Sequence, residues 1–306
     1  MKKISYRDVG LKYTFNPYDK PVAYVKPGET LILEVEDAAS GQIRKNEDVR
    51  DREKIPFANP VVGPIYVEDA TPKDTLSIDV LDIKPLIGQG ATYLFSLSQL
   101  YVFGIPIHSF LDMPFKQKTV ICRVNGEKVQ FKDISLPYRP MIGTIATAPY
   151  PEIDAISSSA LPGRHGGNMD IPDICPKSTV YLPIFHNGAF LYVGDVHAIQ
   201  GDGEISGVAI EMPAEVKIQL GLVKGKRIGW PRIVKEDELM CIVTTSADRG
   251  LENAIRTAYL ELILWMCEEF GFDKYDALML CSQVGRVRIG NLWSVAVGIE
   301  KKYLKQ

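Results

Sequence analysis

The sequence predicts a mainly β protein whose helix is gathered near the C-terminus. Three observations carry that class. Short apolar runs with period-two alternation recur before residue 200, the clearest being Leu76, Ile78 and Val80 alternating with Ser77 and Asp79. Asn125-Gly126 and Asn187-Gly188 each sit between apolar runs, a strong hairpin signal because both residue types tolerate positive φ. The 20 prolines recur throughout and argue against long helices in the first part. The long helical period comes late, with Ile255, Tyr259, Leu262, Ile263, Met266 and Phe270 on one face.

In chain order, residues 22–25 and 31–35 read as strands joined by a Pro27-Gly28 turn. Residues 42–53 (QIRKNEDVRDRE) read as a solvated loop or short surface helix. Residues 119–124 and 127–131 flank Asn125-Gly126 as a type I′ hairpin. Residues 141–168 are loop-rich, carrying Gly143, Pro149, Pro151, Pro162, Gly163, Gly166 and Gly167, and a loop this long is often functional. The runs 180–185 and 189–193 flank His186-Asn187-Gly188 as a second hairpin. Ser246 or Asp248 is a candidate cap for the helix that ends near Phe270, with Gly271 as its stop. Residues 273–284 read as a shorter helix and 292–299 as a last strand. The expected division is an N-terminal β-rich part, 1–143, and a C-terminal part, 144–306, with the hairpin, the helices and most candidate site residues, the two interwoven as one unit.

Length and composition bound the function. At 306 residues, 46% hydrophobic and 24% charged, the chain reads as an ordinary soluble globular protein of one large or two smaller domains. With 35 basic against 38 acidic residues and a net charge of -3, there is no electrostatic case for nucleic acid. No apolar run reaches bilayer-spanning length, so no membrane is expected. The segment MKKISYRDVG has basic residues but no apolar core of a signal peptide. The five cysteines, Cys122, Cys175, Cys241, Cys267 and Cys281, form no CxxC pair, which points to reduced thiols in a cytoplasmic setting.

The densest chemistry lies at 194–207, GDVHAIQGDGEISG. In an extended chain residues two apart share a face, so Asp195 pairs with His197 and Asp202 with Glu204. Carboxylates and imidazole crowded this closely shift one another's pKa unless a proton or a metal ion is shared. A polar turn at Asp202-Gly203 explains Asp202 but not the convergence of the other groups. A second cluster is Gly163-Arg164-His165-Gly166-Gly167-Asn168-Met169-Asp170. Its glycines let backbone approach a ligand, and Asn168 and Asp170 add a carboxamide and a carboxylate. Taken alone it reads as a surface turn, with His165 a ligand, a general base or an exposed loop residue. Ser157-Ser158-Ser159 has no Gly-rich Ser-Lys signature, and no cysteine has a His nearby in sequence; apolar neighbours favour packing for Cys122, Cys267 and Cys281, while Cys175 is the one expected to be exposed. Gly88-Gln89-Gly90 lacks a following helix pattern and is too weak for a nucleotide site, and His108 and His186 read as structural.

Taken together in order, these motifs resemble the acetamidase/formamidase family. The resemblance rests on Gly166-Gly167-Asn168-Met169-Asp170, Gly194-Asp195-Val196-His197 and Gln200-Gly201-Asp202-Gly203-Glu204. It extends upstream through Asn59-Pro60, Gly63-Pro64-Ile65, Asp69-Ala70-Thr71-Pro72 and Asp74-Thr75-Leu76, similar to the family's NP..GP..V.GA.PGD.L stretch. Glu36-Asp37, Met141-Ile142-Gly143, Ala148-Pro149 and Leu251-Glu252-Asn253-Ala254 fit further family segments. Asp69 and Lys73 stand where the family usually has glycine, both at turn positions. The resemblance covers most of the chain. It implies hydrolysis of a short-chain amide, formamide or acetamide, to carboxylate and ammonia. It also implies a barrel-like N-terminal part, a sandwich-like (jelly-roll-like) part and a smaller C-terminal α/β element, in a homo-oligomer, dimer or higher, with a divalent metal, zinc or else calcium, near the acidic-His cluster.

The residues fit that chemistry. Asp195 and His197 are the first candidate metal ligands, with Asp37 and Asp170 beside them. A metal-bound water can attack the amide, Asn168 or the N–H groups of Gly166, Gly167 and the His165 loop can bind the substrate and its oxyanion, and Glu204 or Asp202 can move protons. The loop across 147–168, rich in Ala, Ser and Pro, is expected to close the pocket against long acyl groups. Two other readings stay open: a non-catalytic metal-stabilised β protein binding a small acid or amide, and a Cys- or Ser-nucleophile amidase.

Overall fold

The computed structural model describes residues 1–94, 117–245 and 250–304. His108 and the proposed caps Ser246 and Asp248 lie outside the described residues. The mainly β class holds. Four sheets of nine, five, four and two strands are present among the described residues.

The nine-stranded sheet runs, in spatial order, Lys2–Ser5, Thr30–Val35, Ala214–Val223, Thr75–Pro85, Ser178–Pro183, Arg232–Val234, Glu238–Thr244, Ser294–Glu300 and Arg286–Ile289. The five-stranded sheet runs Gly166–Asn168, Met141–Ala146, Leu191–His197, Val61–Val67 and Ala23–Val25. Both draw strands from either side of residue 143. The main core lies where they pack: Leu31, Leu33, Ile78 and Val216 from the larger sheet join Val62, Ile65, Ile142, Ile145 and Val193 from the smaller. Burying apolar side chains from both inner faces is the main term holding the layers together, at about 25 cal/mol per Å².

Alternation works as read at 75–85. Leu76, Ile78 and Val80 are buried, and then a bulge opposite Lys217 and Ile218 shifts the phase so that Leu81 is exposed and Ile83 is buried. Strand Glu238–Thr244 is covered on both faces: Met240 and Ile242 face the main core, while Leu239, Cys241 and Val243 face helix Leu251–Phe270. That helix starts from Gly250 without a side-chain cap and ends at Gly271 in the left-handed conformation, φ 71. Helix Lys274–Val284 follows, capped by Asp273.

Several local readings change. The segment expected to be loop-rich from residue 141 opens with a fully buried strand, Met141–Ala146. Asn125-Gly126 does join antiparallel strands, Lys118–Val124 and Lys128–Phe131, but only Gly126 has positive φ and the Asn125 side chain accepts from the N–H groups of Glu127 and Lys128. It is an Asx-stabilised four-residue loop rather than a type I′ turn. His186-Asn187-Gly188 closes no hairpin: strand Ser178–Pro183 pairs within the large sheet and Leu191–His197 within the five-stranded one. The turn instead crosses between layers, with the Gly188 N–H donating to Ala70 O and the His186 ring Nε2 at 2.7 Å from Pro149 O. Burying both runs in different sheets outweighs the local turn preference. The last strand begins at Ser294, and it pairs with a strand the sequence pattern does not signal, Arg286–Ile289.

Asp273→Ala removes acceptance of the N–H groups of Tyr275 and Asp276. It is expected to lower the melting temperature by about 2 °C, from about 1 kcal/mol of lost capping, measured calorimetrically.

Candidate functional site

The central strand of the five-stranded sheet, Leu191–His197, is buried along its whole length and carries Asp195 and His197 at its end. Asp195 has φ 54, and Gly143 faces it across the ladder without pairing, its carbonyl instead accepting from the N–H groups of Met169 and Asp170. Asp170 (φ 49) and Glu204 (φ 44) are also left-handed, an uncommon state for residues with a Cβ, and a sign of side chains held by their surroundings. A Cβ on Gly143 would meet Asp170 Oδ1 at 2.4 Å, so this glycine is what lets Asp170 and Asp195 converge.

His197 Nε2 is the focus. Glu211 Oε2 lies 3.2 Å from it, Asp195 Oδ1 3.4 Å and Asp170 Oδ1 3.9 Å. The other ring nitrogen fixes the tautomer. Gln200 Nε2 donates to the carbonyls of Asp170 and Gly290, so Gln200 Oε1 is the acceptor and His197 Nδ1–H donates to it at 2.9 Å. Nε2 therefore points at three carboxylates, with a lone pair when the ring is neutral and an N–H when it is protonated.

Each carboxylate has one oxygen anchored and one turned to this point. Asp195 Oδ2 accepts from Asn59 Nδ2 (2.8 Å) and Thr144 Oγ1 (3.0 Å), and Asp170 Oδ2 accepts from Asn291 Nδ2 (2.8 Å). Glu211 Oε1 accepts from the Ala209 N–H at 3.0 Å. Asp170 Oδ1 and Glu211 Oε2 are buried with no hydrogen-bond partner; Oε2 is near Nε2 but not in hydrogen-bonding geometry. Orphaned acceptors around an imidazole lone pair fit a shared cation, and the ligand sets within reach are Asp170–Asp195–His197 and His197–Glu204–Glu211.

Electrostatics says the same. Burial pushes the Asp170 carboxyl up to about 7, with the charge of Asp195 adding to it and His197 opposing. Burial likewise pushes Glu211 up to about 7 against the pull of His197. Glu204 is raised well above the usual carboxylate range by burial and by Asp170. Burial pulls His197 down, but Glu211 and Asp195 outweigh it and hold the imidazole well above its ordinary value. The cluster keeps a positive charge at its centre whenever it can.

A cavity of about 320 Å³ opens on this centre, lined by Asn168, Asp170, Asp195, Glu204 and Glu211. Ser159, Ala160 and Leu161 of the long loop form part of its wall, and Arg50, Tyr93 and Trp293 also line it. Asn168 Oδ1 accepts from Asn59 Nδ2 and shares the single Thr144 hydroxyl hydrogen with Asp195 Oδ2, which leaves its amide nitrogen as the end free for a ligand.

Other sequence candidates fall elsewhere. Asp202 does not share a face with Glu204: the run is a turn, not an extended strand, and Asp202 is exposed beside Arg288 at 3.4 Å. Asp37 is engaged by Arg44 and by the N–H groups of Ala39 and Gly41, outside both ligand sets. His165 is buried with both ring nitrogens unpartnered, its pKa pushed down to about 4 by burial, and its ring edges onto Phe15 and Tyr150. Gly166 and Gly167 pack rather than line the cavity; a Cβ on Gly166 would meet Ile145 O at 2.4 Å, and one on Gly167 the Pro162 Cα at 3.1 Å. Glu211, Gln200, Asn59, Thr144 and Asn291 were not assigned roles from sequence. Glu211 lies four residues beyond the 194–207 stretch, and its one signal is that of a lone acid in an apolar run, VAIEMPA.

The structure thus defines a small-molecule site, a buried carboxylate–histidine centre in a two-layer β scaffold. The acetamidase/formamidase family profile matches residues 2–160 and 154–292, and the chain belongs to that family. It is similar to an acetamidase of Mycolicibacterium smegmatis, 28% identical over 274 residues (69% of this chain, 65% of that protein). It is also similar to a formamidase of Methylophilus methylotrophus, 31% identical over 252 residues (66% of this chain, 61% of that protein). The chain thus matches these curated relatives over 61–65% of their length. The crystal structure of an acetamidase from Yersinia enterocolitica matches with a TM-score of 0.90 at 34% identity, covering 100% of this chain and 94% of that one. No helix among the described residues is long and apolar enough to cross a membrane.

Gly143→Ala is expected to lower unfolding free energy by about 1–3 kcal/mol in denaturant titrations, through overpacking against Asp170 and Asp195. Gly201→Ala, whose added Cβ meets nothing within 4 Å, is expected to change it by less than about 0.5 kcal/mol.

Proposed function

We propose that the protein hydrolyses a short-chain aliphatic amide, formamide or acetamide, to carboxylate and ammonia, with a divalent metal at the acid–histidine centre. The observation that carries this is the three carboxylates, each with one oxygen anchored and the other turned toward His197 Nε2. His197, Asp170, Asp195 and Glu211 are the proposed ligands. The imidazole favours zinc over calcium, which takes oxygen ligands. A zinc-type ion supplies a water whose pKa falls from about 15.7 to about 7, a hydroxide source at neutral pH.

The chain's own residues do the rest. Asn59, Thr144 and Asn291 orient the Asp195 and Asp170 carboxylates, and Gln200 holds the ring of His197. The Asn168 amide N–H, on the cavity wall with its Oδ1 already engaged, donates to the substrate carbonyl as charge develops on its oxygen. Glu204, kept protonated by burial, gives its proton to the departing nitrogen, without which ammonia leaves poorly. At about 320 Å³ the cavity is near the lower end of ligand pockets, about 300–1,000 Å³, which suits a short acyl group. The nucleophile reading finds less support. Burial pushes the thiols of Cys122, Cys175, Cys241 and Cys281 up, Ser158 donates to Ala58 O, and Ser159, the serine on the cavity wall, is hydrogen-bonded with Ser157. Homo-oligomerisation follows from the family resemblance and belongs to the same proposal.

Metal analysis beside an ammonia-release assay on formamide, acetamide and propionamide tests the whole. About one zinc per chain and chelator-sensitive release are expected; turnover that survives complete metal removal would exclude the metal mechanism, and a metal-loaded protein inert on all three amides would favour a binding role. Asp195→Ala and His197→Ala are each expected to lose the bound metal, and full occupancy in both would remove them as ligands. Glu204→Gln is expected to keep metal and fold while kcat falls about a hundred- to ten-thousand-fold. A wild-type kcat in that variant would take Glu204 out of the mechanism.

A further inference from the structure

Arg232 is out of place by ordinary electrostatics. It sits in strand Arg232–Val234 with 6% of its surface exposed. Among the described residues no carboxylate comes within 4.0 Å of its guanidinium, which lies over the ring of Trp265, 4.6 Å from Cζ to centroid; Glu261, on the same helix as Trp265, feels its charge from farther off. Arg232 Nε is buried without a hydrogen-bond partner, and so is the Nε1 of Trp265, itself 4% exposed. A buried guanidinium with no carboxylate in direct contact and a buried indole N–H without an acceptor are each costly, and here they adjoin.

Both line one cavity of about 370 Å³ beside helix Leu251–Phe270, and no residue of its wall also lines the cavity at His197. The wall also carries Lys226, Lys301 and one acid, Glu269. Glu269 is paired with Lys226, and Lys301 donates to the Lys235 carbonyl, so the wall keeps a surplus of positive charge. The remaining surface includes Val223, Ile228, Leu239 and Phe270.

We propose that this cavity binds a small monocarboxylate bearing a short apolar group, with Arg232 and the Trp265 indole N–H as its donors. The guanidinium fork matches the two oxygens of a carboxylate, and the indole N–H adds one donor. The aliphatic wall takes the tail. Inorganic phosphate carries more charge and has no apolar end for that wall. The site stands independently of the hydrolysis reading, although the acid released by such hydrolysis belongs to the same chemical class.

The test is calorimetric titration of the full chain with acetate, propionate, butyrate and phosphate at matched ionic strength. Saturable binding is expected, tightening about three- to fourfold per methylene from acetate to butyrate. Arg232→Met is expected to weaken butyrate binding more than tenfold, and Trp265→Phe, which keeps the ring and removes the N–H, several-fold. Butyrate binding that is unchanged in Trp265→Phe and in Arg232→Met places the ligand elsewhere, at the acid–histidine centre for instance, and overturns the proposal. If Arg232→Met does not fold, Trp265→Phe decides alone. Phosphate binding as tightly as butyrate, or no carboxylate binding to the wild type, also overturns it.

Discussion

Four carboxyl groups and one imidazole share a buried volume, and that surplus of negative charge is the constraint on which the rest of the site depends. Two like charges 4 Å apart repel by about 4 kcal/mol even at an effective dielectric of 20. Asp170, Asp195, Glu204 and Glu211 therefore cannot all ionise around His197 without a positive charge among them. Protonation of Nε2 and a bound metal are the two ways to supply it. The Gln200 amide also fixes the ring: with its Nε2 committed to two backbone carbonyls, neutral His197 cannot turn its lone pair away from the acids by changing tautomer.

A centre that repels itself has to be held by its frame. Leu191–His197 is the middle strand of its sheet and buried throughout, so Asp195 and His197 ride on one of the least mobile elements available. The C-terminal layer is tied in as well. Asn291, in the turn between Arg286–Ile289 and Ser294–Glu300, anchors Asp170, and the neighbouring Gly290 carbonyl anchors Gln200. The left-handed backbone at Asp170 and Asp195 is held because these contacts over-determine it. Strain at three acids of one site is consistent with selection for geometry over local stability.

The strands at 75–85, the long helix to Phe270 and the Asp195–His197 pairing were legible because each is set by local period or spacing. What failed was long-range. Asn187-Gly188 has the composition of a hairpin, yet no local signal says that its flanking strands belong to different sheets. Asp202 and Glu204 have the spacing of one face, yet glycines on either side make the run a turn and send Asp202 out to Arg288. Glu211, Asn59 and Asn291 reach the centre from three distant parts of the chain, and convergence of that kind leaves no pattern in a single sequence. His165 and its glycines look like ligand-binding chemistry but are explained by steric fit against Ile145, Pro162 and Phe15.

Arg232 and the acid–histidine centre obey one rule with opposite signs. Buried charge without a partner is rare because desolvation is not repaid, so a persistent surplus marks what is missing from the bare chain. At His197 the surplus is negative and the orphaned atoms are acceptors, which calls for a cation. At Arg232 it is positive and the orphaned atoms are donors, which calls for an anion. The two cannot cancel each other. Strand Glu238–Thr244 has one face in the main core and the other against the helix layer, so each surplus is enclosed by its own apolar cluster and must be met by its own ligand.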